Sequence, residues 1–349
     1  MTAGHRGAVP PVALFRPTPG RFKRKTLAMS LTIIVAALTR HRPRMLAQLL
    51  RSLGEMELPR DAKVIGLIVE NDTEEHARRL VEDAGKASRN GLEFQYLLEP
   101  EQGIPIARNR AVDWALSQNS DILAFVDDDQ TVAPDWLTTL TRTYRETGAL
   151  LLGGPQLLAP APDDAGAWTR LMHRNMAHRF DKRARRAAAH ADIHDTRNVT
   201  ISTNNWFADM RLFTEHGLRF DNTLRNGGED LKLYREAYQA GLPTGWVKEA
   251  RVFEWVEPDR MSFRYQFRRA RDMSNTAYRI RLEQKSEPRW KVYPALLLKS
   301  VQALLHLVTL PLRPNVGLLD LARSTGWIAG RVAVLRGRKS THYSETTGS

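Results

Sequence analysis

Three consecutive aspartates, Asp127, Asp128 and Asp129, close the apolar run in LAFVDDDQ (123–130), and Glu229 and Asp230 follow two glycines in GGED (227–230). Adjacent like charges at the end of a segment apolar enough to be a buried strand have to be neutralised. In extended backbone alternate residues share a face, so Asp127 and Asp129 point the same way, about 6.6 Å apart along the chain. At an effective dielectric of about 20 they repel by about 2.5 kcal/mol. Such a pair either takes up protons or binds a cation. With so few local oxygens the site would be open, as where Mg²⁺ or Mn²⁺ is held by one or two carboxylates, phosphate oxygens and water. The plainer alternative is an exposed loop whose acids cap a helix starting at Pro134-Asp135. Glu229 and Asp230 are equally divided between taking a proton in a group transfer and complementing a helix dipole.

The elements that position these acids follow from the pattern. LTIIVAA (31–37), KVIGLIVE (63–70), LEFQYLL (92–98) and DILAFV (121–126) are apolar runs of strand length. Between them, Pro43 opens a helix with Leu46, Leu49, Leu50 and Leu53 on one face, TEEHARRLVEDAGKA (73–87) is a polar helix, and IPIARNRAVDWALSQ (104–118) is a third. Strand–helix alternation predicts an α/β fold, a mostly parallel sheet flanked by helices. Ligands bind outside the carboxyl ends of such strands, and the three aspartates sit at the end of the fourth. Residues 159–200 are polar, arginine-rich and carry no clear element. RNGGEDLKLYREAYQAGLPTGW (225–246) predicts a helix with Leu231, Tyr234 and Tyr238 on one face, ended at Gly241.

Charge divides the chain further. The net charge over 349 residues is +13, and there is no cysteine, which excludes disulfides, thiolate metal sites and a cysteine nucleophile. Residues 1–28 hold six Lys/Arg and no acid, and residues 260–349 hold 17 Lys/Arg against five acids, which leaves the body mildly acidic. Residues 1–28 read as a disordered basic arm, or as an extension upstream of a start at Met29. Within the basic end, YPALLLKSVQALLHLVTLPL (293–312) is long enough to span a bilayer, but Lys299, Gln302 and His306 form a polar stripe. An amphipathic helix lying on an anionic membrane surface is therefore expected.

FVDDDQ resembles the DxD motif of family 2 glycosyltransferases with the GT-A fold. The similarity extends over most of 31–275 through segments in the family's order: TRHRP (39–43), VENDT (69–73), EPEQGIPIARNRAVDWAL (99–116), FVDDDQTVAPDWL (125–137), GGP (153–155), TNN (203–205), FDNTLRNGGED (220–230) and EARVFEWVEPDR (249–260). The resemblance implies a Rossmann-like GT-A domain over 29–258, with a nucleotide-sugar half (29–150) and an acceptor half (151–258), followed by a basic helical membrane-associating region (259–349). It also implies an inverting transfer from a nucleotide sugar, a UDP-sugar foremost, to a glycan or lipid-linked acceptor in surface polysaccharide or glycolipid synthesis, at the cytoplasmic face of the membrane. Thr39 and Glu70 then hold the base and ribose, Arg108 lies near the diphosphate or base, and Asp128 near the ribose. Asp127 and Asp129 bind Mg²⁺ or Mn²⁺, Asp129 foremost. Asp230 becomes the base that takes the acceptor's proton, with Glu229 supporting it.

Gly228 lets backbone approach the acceptor sugar, and Trp206 either stacks on that sugar or belongs to the core. The chain departs from the family in having Leu38-Thr39-Arg40-His41 after the first strand, Glu70 for an aspartate, and Glu254 where some relatives carry a histidine ligand. His173, His178, His190 and His194 lie among arginines, and no metal site is expected there. Two other classes compete. Nucleotidyl transfer wants a glycine-rich phosphate loop after the first strand, and TRHRP has no glycine. A non-catalytic basic protein would not need intact Asp127, Asp129 and Asp230. Nucleic acid is not expected as a partner, since its binding would be steeply salt-dependent and indifferent to divalent metal.

Overall fold

The computed structural model describes residues 30–225, 227–285 and 288–338; the basic arm expected over 1–28 lies outside them. The chain runs β1 (Leu31–Thr39), α1 (Pro43–Glu55), β2 (Ala62–Glu70), α2 (Arg78–Ala87), β3 (Glu93–Leu98), α3 (Ile104–Ser117), β4 (Ile122–Asp127) and β5 (Gln130–Val132). It continues with α4 (Trp136–Thr147), β6 (Leu151–Gly153), β7 (Gln156–Leu158), α5 (Ala167–His190), β8 (Asn205–Asp209), α6 (Arg211–Thr214), α7 (Glu229–Gln239), β9 (Thr244–Trp246) and β10 (Val252–Glu254). The helices α8 (Pro258–Met261), α9 (Phe263–Lys285), α10 (Val292–Thr309) and α11 (Pro314–Leu335) follow.

Seven strands form one sheet in the order β3-β2-β1-β4-β8-β6-β9. β1 is parallel to both β2 and β4, while β8 runs antiparallel to its neighbours β4 and β6. This is the α/β sheet the alternation predicts. Ile33, Val35 and Ala37 of β1 pack on one face against Leu46, Leu49, Leu50 and Leu53 of α1. Ile34 and Ala36 pack on the other against Ala107 and Ala111 of α3. Helices on both faces are why these strands read as unbroken apolar runs. A second sheet, β5-β10-β7, sets β10 beside the end of β4.

Three expectations need correcting, and the basic end, helical as expected, takes a definite place. The polar helix begins at Arg78 rather than residue 73, because the Glu70 carboxylate takes the backbone N–H groups of His76 and Ala77 and keeps the preceding loop non-helical. On α7 the buried face is Leu233, Tyr234 and Ala237, and Tyr238 is exposed. The unassigned stretch 159–200 holds the 24-residue helix α5. The basic end is a docked helical layer: α11 lies so close on α9 that a Cβ at Gly326 or Gly330 would collide with the carbonyl oxygens of Phe267 and Arg271.

In α10 the polar stripe is turned inward. Lys299, Gln302 and His306 are half-buried, and the His306 carbonyl lies beside Gly317 of α11. Leu297, Leu298, Val301, Leu304, Leu305 and Val308 face out.

Candidate functional site

The carboxyl ends of β1, β2 and β4 meet at one rim, where Thr39 pairs with Glu70 and Leu38 with Asp127. Asp128 turns back under this rim. It accepts a hydrogen bond from Thr39 Oγ1 at 2.9 Å and another from Arg42 Nη1 at 3.1 Å. Arg42 Nη1 also lies 3.3 Å from Asp129 Oδ2. Asp127 faces the other way, with Arg108 Nη2 at 3.9 Å. The strand ends at Asp127, so the alternation expected to set Asp127 and Asp129 on one face does not run through the three acids: Asp128 and Asp129 lie in the turn and share Arg42, while Asp127 faces Arg108.

Arg108 joins the two acidic clusters. It is buried on α3 with its guanidinium 5.8 Å from the Phe220 ring, and it forms an ion pair with Glu229 at the start of α7. Gly227 and Gly228 approach α7 with φ of 111° and 96°, which glycine alone adopts without strain. A Cβ on Gly228 would meet nothing within 4 Å, so this turn borders open space. Asp230 follows Glu229 in the first turn, its Oδ1 accepting from the Leu231 N–H at 2.7 Å.

Glu254, on β10 opposite Gln130, brings a further carboxylate to the rim. Its Oε2 accepts from Gln156 Nε2 at 2.6 Å. Burial, followed by the charges of Asp129 and Asp127, pushes the Glu254 carboxyl up to about 7. Desolvation by the surrounding protein and the neighbouring Asp129 likewise push Asp127 up, against the pull of Arg108 and tempered by a side chain that stays 42% exposed. Asp129 is raised by burial and Asp128 while Arg42 pulls it down. Burial lowers Arg108 despite Asp127 and Asp230. The rim acids are thus held toward their protonated forms, chiefly by burial and next by one another's charge.

Several expected site residues take other parts. Trp206 cannot stack on an acceptor: it is fully buried on β8, paired with Phe125 and packed 5.9 Å from the Phe220 ring. Glu70 is buried, and one of its oxygens takes the Tyr96 hydroxyl at 2.5 Å besides the two loop N–H groups. It shapes the loop at the end of β2 rather than offering a bare carboxylate. Thr39 is buried and committed to Asp128. Arg42 and Gln156 were missed. Arg42 carried a signal, a cation next to the helix-opening Pro43 with three acids unaccounted for, whereas nothing local marked Gln156.

Among the described residues, one His/Asp group brings its ligand atoms within 4.8 Å of one another, and it is not this rim: it consists of His41, Asp72 and His76. There His41 Nε2 is 2.6 Å from Asp72 Oδ2, with Arg40 3.8 Å away. The rim acids are more widely set. Alone they make an incomplete, all-oxygen set, suited to a hard cation that brings other oxygens with it.

The sequence profile of glycosyl transferase family 2 matches residues 32–201. The succinoglycan biosynthesis protein ExoM of Rhizobium meliloti (strain 1021) is 33% identical over 241 residues, 67% of this chain and 70% of ExoM. Among solved structures, S. aureus TarS 1-349 in complex with UDP-GlcNAc aligns with a TM-score of 0.52 at 14% identity, over 88% of this chain and 93% of that one. The same TarS segment with UDP aligns at 0.50 and 13% identity. This chain spans 40% of the longer TarS chain. These likenesses bear out the expected fold class.

Proposed function

Because the chain belongs to glycosyl transferase family 2 and is a glycosyltransferase, we propose that it moves a sugar from a nucleotide-sugar donor, a UDP-sugar, to a hydroxyl of a glycan acceptor with inversion. One observation carries the reading: Arg108 ties the Asp127 side of the β4 acids to Glu229 at the head of α7. A donor-side and an acceptor-side carboxylate, about a hundred residues apart in sequence, are thus linked through one guanidinium.

Asp127 and Asp129 would hold Mg²⁺ or Mn²⁺, with Glu254 behind them. The fit rests on an oxygen-only donor set and on the charge of Asp129, which acts on both Asp127 and Glu254 beside the effect of burial. A bound cation would offset the charge growing on the departing nucleoside diphosphate. Asp128, fixed by Thr39 and Arg42, orients the nucleoside end of the donor. Arg108 screens Asp127 from Asp230. Asp230, on the open side of the glycine turn, takes the proton of the attacking hydroxyl, and Glu229 positions Arg108 rather than moving a proton.

Likeness to a succinoglycan biosynthesis protein supports a place in polysaccharide assembly. The outward apolar face of α10 supports attachment to the cytoplasmic face of a membrane and hence a lipid-linked acceptor. The test is a melting-temperature screen of nucleotide sugars with and without Mn²⁺, since a ligand of the folded state raises its stability. A UDP-sugar is expected to raise the melting temperature when Mn²⁺ is present. No shift with any nucleotide sugar would overturn the reading.

A further inference from the structure

Beside Glu254, on the far side of Gln156 from the other rim acids, a cavity of about 260 Å³ opens between α5, the turn before β7 and the segment leading into β8. Pockets for drug-sized ligands run from roughly 300 to 1,000 Å³, so this one suits a single sugar residue or its substituent rather than a whole nucleotide sugar. Arg183 and Arg186, three residues apart on α5, both line it. Neither has a carboxylate partner among the described residues, and no described carboxylate lines the cavity. Like charges at that spacing on a helix repel, and a bound anion would relieve the repulsion.

Trp246 forms part of the wall, is 9% exposed, and its buried indole N–H has no hydrogen-bond acceptor. Asn198 and Asn204 add side-chain amides. The lining is thus rich in donors, two of them guanidiniums shaped to grip phosphate or carboxylate oxygens in pairs. The cavity also adjoins the reaction centre. Asn204 Nδ2 donates to Gln156 Oε1 at 2.9 Å, and Gln156 Nε2 donates to Glu254 Oε2 at 2.6 Å. One glutamine separates the cavity from the acidic rim.

We propose that this cavity is an acceptor subsite that binds an anionic substituent, phosphate or carboxylate, carried by the acceptor. The proposal rests on the transferase reading above. It is tested by calorimetric titration with glucose 1-phosphate, glucuronate and neutral glucose, and separately with UDP plus Mn²⁺. Wild-type protein is expected to bind one or both anions and not glucose. Binding of glucose 1-phosphate alone assigns a phosphate, and binding of glucuronate alone a carboxylate.

The double variant Arg183→Gln/Arg186→Gln should lose at least about tenfold in anion affinity, since both guanidiniums supply charge-assisted hydrogen bonds to the anion. Both arginines are exposed, so the variant should keep its melting temperature and its affinity for UDP. Anion affinity that survives in the double variant, or glucose binding as well as the anions, overturns the subsite. Wild-type protein that binds UDP but neither anion removes the subsite and leaves the transferase reading standing. Failure to bind any nucleotide removes that reading and the subsite with it.

Discussion

Arg42 Nη1 lies 3.3 Å from Asp129 Oδ2, so a guanidinium already occupies one side of the carboxylate proposed above as a cation ligand. The same nitrogen reaches Asp128 Oδ1 at 3.1 Å. Burial works against the charge on Arg42, but Asp128 and Asp129 outweigh it and hold the guanidinium's pKa above its ordinary value. Arg42 would therefore compete with the proposed cation for Asp129, while it anchors Asp128.

Arg42→Gln should separate these effects. An opposite charge within about 4–6 Å shifts a carboxyl by about 1–3 pKa units, so losing it should tighten Mn²⁺ binding by about tenfold. Asp128 would lose an anchor at the same time, and nucleotide-sugar affinity should fall. Titration calorimetry with Mn²⁺ and with the donor reads both. Unchanged Mn²⁺ affinity would show that the ion does not meet Asp129.

Glu229 and Asp230 are neighbours with opposite expectations. Glu229 is buried and paired with the equally buried Arg108. Removing one partner of such a pair costs about 3–5 kcal/mol, so Glu229→Ala should lower denaturant stability by that amount. Asp230→Asn should leave stability intact and lower turnover by about 10²–10⁴. Chemical denaturation beside a donor-consumption assay checks the pair. A stable Glu229→Ala protein, or a fully active Asp230→Asn, would reverse the assignment.

What could be read in the sequence depended on how each residue is surrounded. β1, β2 and β4 are covered on both faces, so their apolar runs announced them, and the acids at the end of β4 stood out against that background. α5 announced nothing, because only Met172, Asn175 and Met176 of its 24 residues are buried and the rest, dominated by arginine, alanine and histidine, is half-buried or exposed without a clear apolar stripe. Trp206 shows the limit of adjacency. It follows the TNN segment, but its face is set by pairing with Phe125 across β4 and β8, which no local pattern records. Likewise Glu254 reaches Asp129 only because β10 lies beside β5. The inward stripe of α10 was visible as a stripe, while its direction waited on the packing of α11.

The raised carboxyls make stability depend on pH in an unusual sense. Burial pushes the Glu254 carboxyl up to about 7 in the folded protein and raises the half-exposed Asp127 as well, against about 4 in an unfolded chain. Between those values the folded protein binds more protons than the unfolded one, so stability falls as pH rises through the window. The metal-free protein should melt at a lower temperature at about pH 8 than at about pH 5.5. Mn²⁺ favours the charged forms, and its affinity should rise as pH passes 7, which offsets the loss. Thermal melts across pH with EDTA or Mn²⁺ decide the matter, and parallel profiles would exclude a cation at these acids.

α10 exposes leucines where a helix facing water would show its polar stripe. Leu297 is 69% exposed, Leu304 59% and Leu305 56%, while Lys299, Gln302 and His306 turn toward α11. Moving a leucine side chain out of water contributes about 1.5–3 kcal/mol. The triple variant Leu297→Ser/Leu304→Ser/Leu305→Ser should therefore weaken binding to phosphatidylglycerol-containing vesicles by more than about a hundredfold. These side chains make little contact within the protein, so its melting temperature should hardly change. High salt should weaken the wild-type interaction only partly, because lysines and arginines contribute through screened attraction and the leucines do not. Vesicle co-sedimentation at low and high salt reads both effects. A triple variant that sediments like the wild type would place the contact elsewhere, on the basic surface alone.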